Sequence, residues 1–288
     1  MSWIATVTLF VMMLALGMTL RLADFRRLAG MPAAVLVGLL GQFVLLPCAA
    51  FALAHTFALS RTQAIGLVLI SACPGGVTSN VFSRFARGNV ALSISLSAVG
   101  SMLAFLSLPF AMALAMRAFG AEGPRVVLSF GEMAAPLFGT TALPVLLGMG
   151  LLRTRPLLAG RLHRPLLAFS TGVLVLLIVG LGVGVARTSS ELSIPTLFRD
   201  VTPAVVALIS LTMAIGMLAA KALGLDGATT RTLMLEIGLQ NFNLALVVAM
   251  SVLHEQRYAG PALVYLPVMF VFAGSVIALG MRERRSER

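Results

Sequence analysis

Nine apolar stretches, each about 20 residues or longer, follow one another along the chain with short polar links between them. A helix needs about 20 mostly apolar residues to cross the hydrocarbon core of a bilayer. Only 11% of the residues are charged, whereas a soluble domain has about 25%. The sequence therefore predicts an all-α polytopic membrane protein with nine transmembrane helices. The predicted spans are 3–22, 32–55, 62–86, 89–118, 126–152, 165–187, 201–222, 228–253 and 259–281.

The net charge of +11 comes from Lys and Arg residues at the ends of these stretches. They form no basic stripe interleaved with aromatic residues, so nucleic-acid binding is not expected. Alternate links place fifteen Lys and Arg residues on one side and six on the other. Because cytoplasmic loops are enriched in Lys and Arg, we expect an outer N-terminus and a cytoplasmic C-terminus in the cytoplasmic (inner) membrane.

Two of the stretches are interrupted at about the middle of the bilayer. The third contains Ser-Ala-Cys-Pro-Gly-Gly-Val-Thr-Ser-Asn over 71–80, and the eighth contains Glu-Ile-Gly-Leu-Gln-Asn over 236–241. Pro removes a backbone donor and Gly permits an open backbone. The sequence therefore predicts two broken helices. After the first break we expect the helix to resume near 78–80, with Thr78 or Ser79 as its N-cap.

The interrupted stretches are five apart in chain order, so they cross the bilayer in opposite directions. Inverted repeats with broken helices in corresponding positions are typical of secondary transporters. We expect a first repeat of four spans at 1–118, in which the opening helix is absent. The second repeat, of five spans, is expected at 119–288.

Glu236 is the most informative residue at membrane depth. An ionisable group at a helix centre costs roughly 2.5–3.5 kcal/mol on insertion scales, so it indicates a functional site. No Lys or Arg lies at a comparable depth in the sequence, which suits a hard cation such as Na⁺, or a proton. Gln42 fits either an interhelical hydrogen bond or ion binding, and the serine line Ser93, Ser97 and Ser101 fits either ion binding or close helix packing.

Signatures of other membrane activities are missing from the sequence. It contains no Walker-type phosphate loop, no HExxH and no G-x-S-x-G motif. Its three histidines, His55, His163 and His254, fall at the ends of predicted spans. ATP-driven pumping and intramembrane hydrolysis therefore have no support, and the chain is not expected to be an enzyme.

The residues at both breaks resemble those of the bile acid:sodium symporter family. The resemblance rests on Cys-Pro-Gly-Gly-Val-Thr-Ser-Asn-Val over 73–81, Gly-Asn-Val-Ala-Leu-Ser over 88–93 and Glu-Ile-Gly-Leu-Gln-Asn over 236–241. It implies a core domain with two crossing broken helices, from about 32–118 and 201–281. It also implies a panel domain, from about 3–22 and 126–187, which moves against the core for alternating access.

The resemblance further implies two sodium sites and a substrate site. One sodium site would use Ser79, Asn80, Ser93, Ser97 and Glu236. The other would use Gln42, Glu236 and Gln240, with main-chain oxygens near Ile237 and Leu239. Substrate contacts are implied at Val77, Thr78, Ser79 and Asn241. Val77 and Thr78 stand where the family usually has Thr and Ala.

Together these features lead to the hypothesis of Na⁺-coupled symport of an organic anion, with two coupling Na⁺ ions. The substrate would be a bile acid-like compound, a steroid conjugate or a small carboxylate, and the carrier a monomer surrounded by membrane lipid. One alternative is a proton-coupled or efflux carrier of an anion or metalloid oxyanion. Another is a membrane sensor that does not transport.

Overall fold

The computed structural model describes residues 2–120, 130–188 and 194–286, and all regular secondary structure in these ranges is helical. The helices are, in chain order, α1 (Ser2–Gly17), α2 (Leu22–Ala29), α3 (Pro32–Thr56), α4 (Arg61–Ala72), α5 (Val77–Phe85), α6 (Val90–Phe119), α7 (Phe130–Thr154), α8 (Pro156–Thr188), α9 (Ile194–Ala222), α10 (Gly227–Gly238), α11 (Phe242–Val247) and α12 (Gly260–Ser286). Short π-helical turns lie within α3 (Gly41–Leu45) and α7 (Phe138–Ala142), and another (Val248–Val252) continues α11. The fold is thus a helical assembly, as predicted.

Six helical segments of the described residues are long and apolar enough to cross a membrane. The pair α4–α5 makes a seventh if its two helices form one bent span. Membrane-protein character is therefore supported, whereas the count of nine spans stays a prediction. Part of the predicted span 126–152 lies outside the described residues, because the structure describes no residue between 120 and 130.

The predicted boundary of the first span, 3–22, is wrong at its C-terminal end. Helix α1 ends at Gly17, and a separate eight-residue helix, α2, begins at Leu22. The Asp24 carboxylate accepts a hydrogen bond from the Arg21 amide at 2.8 Å and so stabilises the start of α2. Asp24 and Arg26 make α2 too polar to prolong an apolar span.

The first break (residues 73–76) separates α4 from α5, which meet at 64°. Cys73 is extended (φ −81°, ψ 120°), as expected for a residue that precedes proline. Helix α5 starts at Val77, and the N-cap is Gly76, which has no side chain to cap with. The prediction of Thr78 or Ser79 as the N-cap is therefore wrong. Ser79 lies inside the first turn, where its hydroxyl donates to the Gly76 carbonyl at 2.7 Å.

The second break (residues 239–241) differs from the first in shape. Helical hydrogen bonding stops at Gly238 and resumes at Phe242. The segment Gly227–Val252 nevertheless forms a single span, without the sharp bend of the first break. The Asn241 side chain caps α11 by accepting a hydrogen bond from the Leu244 amide at 3.2 Å. Glu236 therefore still belongs to the last turn of α10, and its carboxylate is carried by regular helix.

The two breaks are in direct contact, because the Asn241 amide donates to the Pro74 carbonyl at 3.1 Å. Around them, α10 packs against α3, α6, α9 and α12, whereas α1 packs mainly against α7 and α8. The division into a moving core and panel, and the inverted repeats, stay predictions. The contact between the breaks brings polar residues from distant parts of the chain into one place.

Asp226 caps the helix that carries Glu236, and we expect its replacement by alanine to destabilise the protein by about 1 kcal/mol. Its carboxylate accepts hydrogen bonds from the Thr229 hydroxyl (2.7 Å) and amide (2.9 Å). The Thr229 hydroxyl, followed by its amide, holds the pKa of Asp226 below its usual range. This stabilisation is therefore present above the unfolded pKa of about 3.9 and is lost as the pH falls through the lower folded value.

Thermal unfolding of the wild-type protein and Asp226→Ala between pH 7 and pH 3 measures this contribution. The difference in Tm between the two proteins should have its full size at neutral pH and should become smaller below about pH 4. Asp200→Ala is the control, because Asp200 is an exposed residue of α9 that pairs with its neighbour Arg199 at 2.9 Å. A difference in Tm that does not change with pH would contradict stabilisation of α10 by an ionised Asp226 carboxylate.

Candidate cation site at the two helix breaks

The carboxylate of Glu236 lies at the centre of a cluster of buried oxygen atoms. Its Oε1 accepts a hydrogen bond from Ser93 Oγ at 2.5 Å, and its Oε2 accepts one from Ser97 Oγ at 2.9 Å. Asn80 Oδ1 lies 2.8 Å from Ser93 Oγ and 3.2 Å from Ser97 Oγ, and Ser79 Oγ lies 3.4 Å from Ser97 Oγ. All five side chains are buried. We call this group the oxygen cluster.

The oxygen cluster contains more close oxygen–oxygen contacts than its hydrogens can bridge. The Ser93 and Ser97 hydroxyls carry one hydrogen each, yet each oxygen approaches both Asn80 Oδ1 and a Glu236 oxygen. The Ser79 hydrogen is directed to the Gly76 carbonyl. The remaining contacts bring lone pairs together, and a cation among them would convert this repulsion into attraction. A 180° turn of the Asn80 amide would close the network without an ion.

A second set of oxygens belongs to two glutamines that contact the main chain of Glu236 and Ile237. Gln42 Nε2 donates to the main-chain carbonyl of Glu236 at 2.8 Å, and Gln240 Nε2 donates to that of Ile237 at 2.7 Å. In both glutamines Oε1 is buried and receives no hydrogen bond from any described residue. Buried carbonyl oxygens normally have a partner, so these two are available to an ion.

Glycines allow the backbone of the first break to lie against the oxygen cluster. A Cβ on Gly75 would lie 2.7 Å from Glu236 Oε2 and 3.3 Å from Ser79 Oγ. A Cβ on Gly100, in α6, would lie 2.7 Å from the Pro74 side chain and 3.2 Å from Gln42 Oε1. Any larger residue at these two positions would push into the site.

The donor set indicates the type of cation that would fit. Among the described residues, no group of three His, Cys, Asp or Glu could hold a metal ion. The described ion pairs, Arg199–Asp200 and Arg257–Glu255, do not involve Glu236. One carboxylate with neutral hydroxyl and amide oxygens suits a hard cation of low charge rather than a transition metal.

Most of the residues proposed as sodium ligands from the sequence are brought together around Glu236. Gln42, Ser79, Asn80, Ser93 and Ser97 come from three different helices. Ile237 lies in the last turn of α10, whereas Leu239 and Gln240 belong to the second break. Their role as sodium ligands stays a prediction.

The residues proposed as substrate contacts lie at the starts of the resumed helices. Val77 and Thr78 are half-buried in the first turn of α5, and Asn241 is buried at the start of α11. A Cβ on Gly76 would lie 3.2 Å from Asn241 Cγ, so the two helix starts adjoin. Ser79 is buried with its hydroxyl turned to the Gly76 carbonyl.

The sequence interpretation missed Tyr265, which supports the second break from α12. Tyr265 is fully buried, and its hydroxyl donates to the Gly238 carbonyl at 2.6 Å. Gly238 is the last residue of α10, so its carbonyl lies at the helix end, where partners within the helix run out. A tyrosine within an apolar stretch is a usable signal, because its hydroxyl needs a partner when buried.

We expect Tyr265→Phe to destabilise the protein by about 1–3 kcal/mol, because it leaves the buried Gly238 carbonyl without this donor. Thermal unfolding with and without Na⁺ would measure the change. The control is Tyr258→Phe, because Tyr258 is half-buried and lies in the turn before α12. Equal effects of the two substitutions would mean that the hydroxyl of Tyr265 does not stabilise the break.

Comparison with known proteins shows which family the chain resembles. The model of the sodium bile acid symporter family matches residues 6–191. The probable chloroplastic sodium/metabolite cotransporter BASS2 of Oryza sativa subsp. japonica is 30% identical, over 97% of this chain and 64% of its own length. The uncharacterized sodium-dependent transporter YocS of Bacillus subtilis is 27% identical, over 96% of this chain and 83% of its own length.

A human protein is similar over the same extent. The ileal sodium/bile acid cotransporter of Homo sapiens is 26% identical, over 97% of this chain and 78% of its own length. The chain spans 64% and 65% of the lengths of two chloroplast relatives, from Oryza sativa and Arabidopsis thaliana. The names of these relatives describe transporters, not enzymes.

Proposed function

The chain belongs to the sodium bile acid symporter family, and we propose that it carries an organic anion across the membrane together with Na⁺. The observation that carries this proposal is the buried carboxylate of Glu236 at the centre of the oxygen cluster, which takes part in none of the described ion pairs. A buried carboxylate without a basic partner is costly in a bilayer. Sodium would neutralise its charge and bind the surrounding oxygens.

Two ions fit the two sets of oxygens. The first would be held by Glu236 and the side chains of Ser79, Asn80, Ser93 and Ser97. The second would be held by Gln42 and Gln240, whose Oε1 atoms are buried without a described donor. Glu236 and the main-chain oxygens near Ile237 and Leu239 would complete this second site. These residues are the predicted sodium ligands.

The organic anion would bind where the starts of α5 and α11 adjoin. A helix start carries partial positive charge and unpaired amides that attract anions. Val77 and Thr78 line one of these starts and Asn241 lies at the other. The substrate class is a bile acid-like compound, a steroid conjugate or a small carboxylate.

Coupling follows from the position of the sodium sites beside both breaks. The Asn241 amide donates to the Pro74 carbonyl, so an ion that orders one break also orders the other. Because the substrate site is built from the same helix starts, sodium and substrate would raise each other's affinity. Alternating access would then follow from movement of the core helices against the panel helices, in a monomer with an outer N-terminus.

Uptake by proteoliposomes under a Na⁺ gradient tests this function. A set of radiolabelled anions, including taurocholate and small carboxylates, should contain one that accumulates only when Na⁺ is higher outside. Uptake that instead follows a proton gradient would favour the proton-coupled alternative. Binding without counterflow would indicate a sensor. Sodium-independent uptake of every accumulated anion would refute sodium coupling.

A further inference from the structure

Asn243 is a buried amide between α1 and α11 that the sodium sites do not use. Its side chain is 7% exposed, and its Nδ2 donates to Met12 Sδ at 3.2 Å. No described residue donates a hydrogen bond to its Oδ1. A side-chain amide has two donor hydrogens and an acceptor oxygen, and a thioether is only a weak acceptor. Much of the hydrogen-bonding capacity of Asn243 is therefore unused in this conformation.

A narrow cavity of about 10 Å³ lies beside this amide. Its other walls are mainly apolar, with Leu9 from α1, Leu174 from α8 and Leu246 and Val247 from α11. The one other polar group, the Thr8 hydroxyl, donates to the Ile4 carbonyl at 2.7 Å. The space is about that of one water molecule, so a substrate group can enter only if α1 and α11 separate.

The position of Asn243 relates it to the substrate site. It lies two residues after Asn241, in the first turn of the same helix, α11. Residues two apart do not share a helix face, so a substrate whose anionic group lies at Asn241 would reach Asn243 by extending around the start of α11 towards α1. The contact from Met12 is easily replaced, because methionine is a flexible side chain.

We propose that Asn243 determines specificity by binding a hydroxyl group of the organic anion when α1 moves away from α11. Its Oδ1 would accept the hydroxyl hydrogen, and its Nδ2 would leave Met12 and donate to the hydroxyl oxygen. A site built to hydrogen-bond a hydroxyl strongly disfavours an analogue that lacks it, because its buried polar groups are then unpaired. The preferred substrates are therefore hydroxylated carboxylates. This inference rests on the proposed function.

Matched pairs of ligands test the inference by thermal shift of the purified protein in Na⁺. The pairs are 3-hydroxybutyrate with butyrate, and cholate with 5β-cholanate, which lacks the hydroxyls. The wild-type protein should bind the hydroxylated member of at least one pair tenfold or more tightly. Asn243→Leu should bind both members of that pair equally. Met12→Leu, which removes the thioether but keeps the amide, should retain the preference.

Two outcomes overturn the inference: a wild-type protein that distinguishes neither pair, and a preference that survives in Asn243→Leu. The second outcome would mean that the amide binds only a structural water. Asn243→Ala is the second variant to be measured in case the leucine side chain prevents folding. The thermal shift caused by Na⁺ without any organic anion tests the proposed sodium sites separately from the role of Asn243. Its absence in the wild-type protein would argue against the sodium sites themselves.

Discussion

Replacing Glu236 by glutamine is expected to abolish sodium-driven uptake and to weaken Na⁺ binding at least about 100-fold. Removing one partner of a buried charge pair costs about 3–5 kcal/mol, and each 1.4 kcal/mol is a factor of ten. Glutamine also brings two amide hydrogens to Ser93, Ser97 and Asn80, so the oxygen cluster can close without an ion. Stability without Na⁺ should therefore be kept while stabilisation by Na⁺ is lost.

Isothermal titration with NaCl and uptake in proteoliposomes would measure the two effects in the same preparation. Glu132→Gln is the matched control, because Glu132 is an exposed carboxylate in α7, a helix that belongs to neither break. It should bind Na⁺ and transport as the wild-type protein does. If Glu236→Gln still responds to Na⁺ while remaining folded, the carboxylate does not hold the ion.

Gly75→Ala should lower sodium affinity by tenfold or more. The added methyl group would lie 2.7 Å from Glu236 Oε2 and 3.3 Å from Gln42 Nε2, so the carboxylate must move out of the oxygen cluster. Among the described glycines only Gly224 has a positive φ, so alanine can adopt the backbone conformation of residue 75. The loss of sodium affinity would therefore come from this contact. The same overpacking should also destabilise the protein by about 1–3 kcal/mol.

The control for this substitution is Gly150→Ala. Gly150 lies in the C-terminal part of α7, where an added Cβ would meet nothing within 4 Å. Alanine there should leave Na⁺ binding unchanged and stabilise the helix by about 0.5–1 kcal/mol. Sodium titration monitored by thermal unfolding compares the two variants. Equal sodium affinity in both would show that Gly75 is not beside the bound ion.

Much of the candidate site could be predicted because its members are unusual for their surroundings. Pro74 and the two glycines after it are incompatible with continuous helix in a stretch that is otherwise apolar. Glu236 is costly at membrane depth, so its presence alone indicated a function. The details of each helix start could not be predicted in the same way. Gly76 rather than Thr78 or Ser79 became the N-cap of α5, because several neighbouring residues can all begin a helix.

By itself, the sequence determined the helical membrane character, the positions of both breaks and the choice of Glu236 as the candidate ion ligand, because these depend on local composition and backbone chemistry. Only the tertiary structure decided which oxygens meet. Ser93 and Glu236 are 143 residues apart, and Gln42 and Glu236 are 194 apart. The structure also decided that Tyr265 would support the second break and that Asn243 would face a cavity. Such contacts depend on how whole helices pack, which the order of residues along any one helix does not specify.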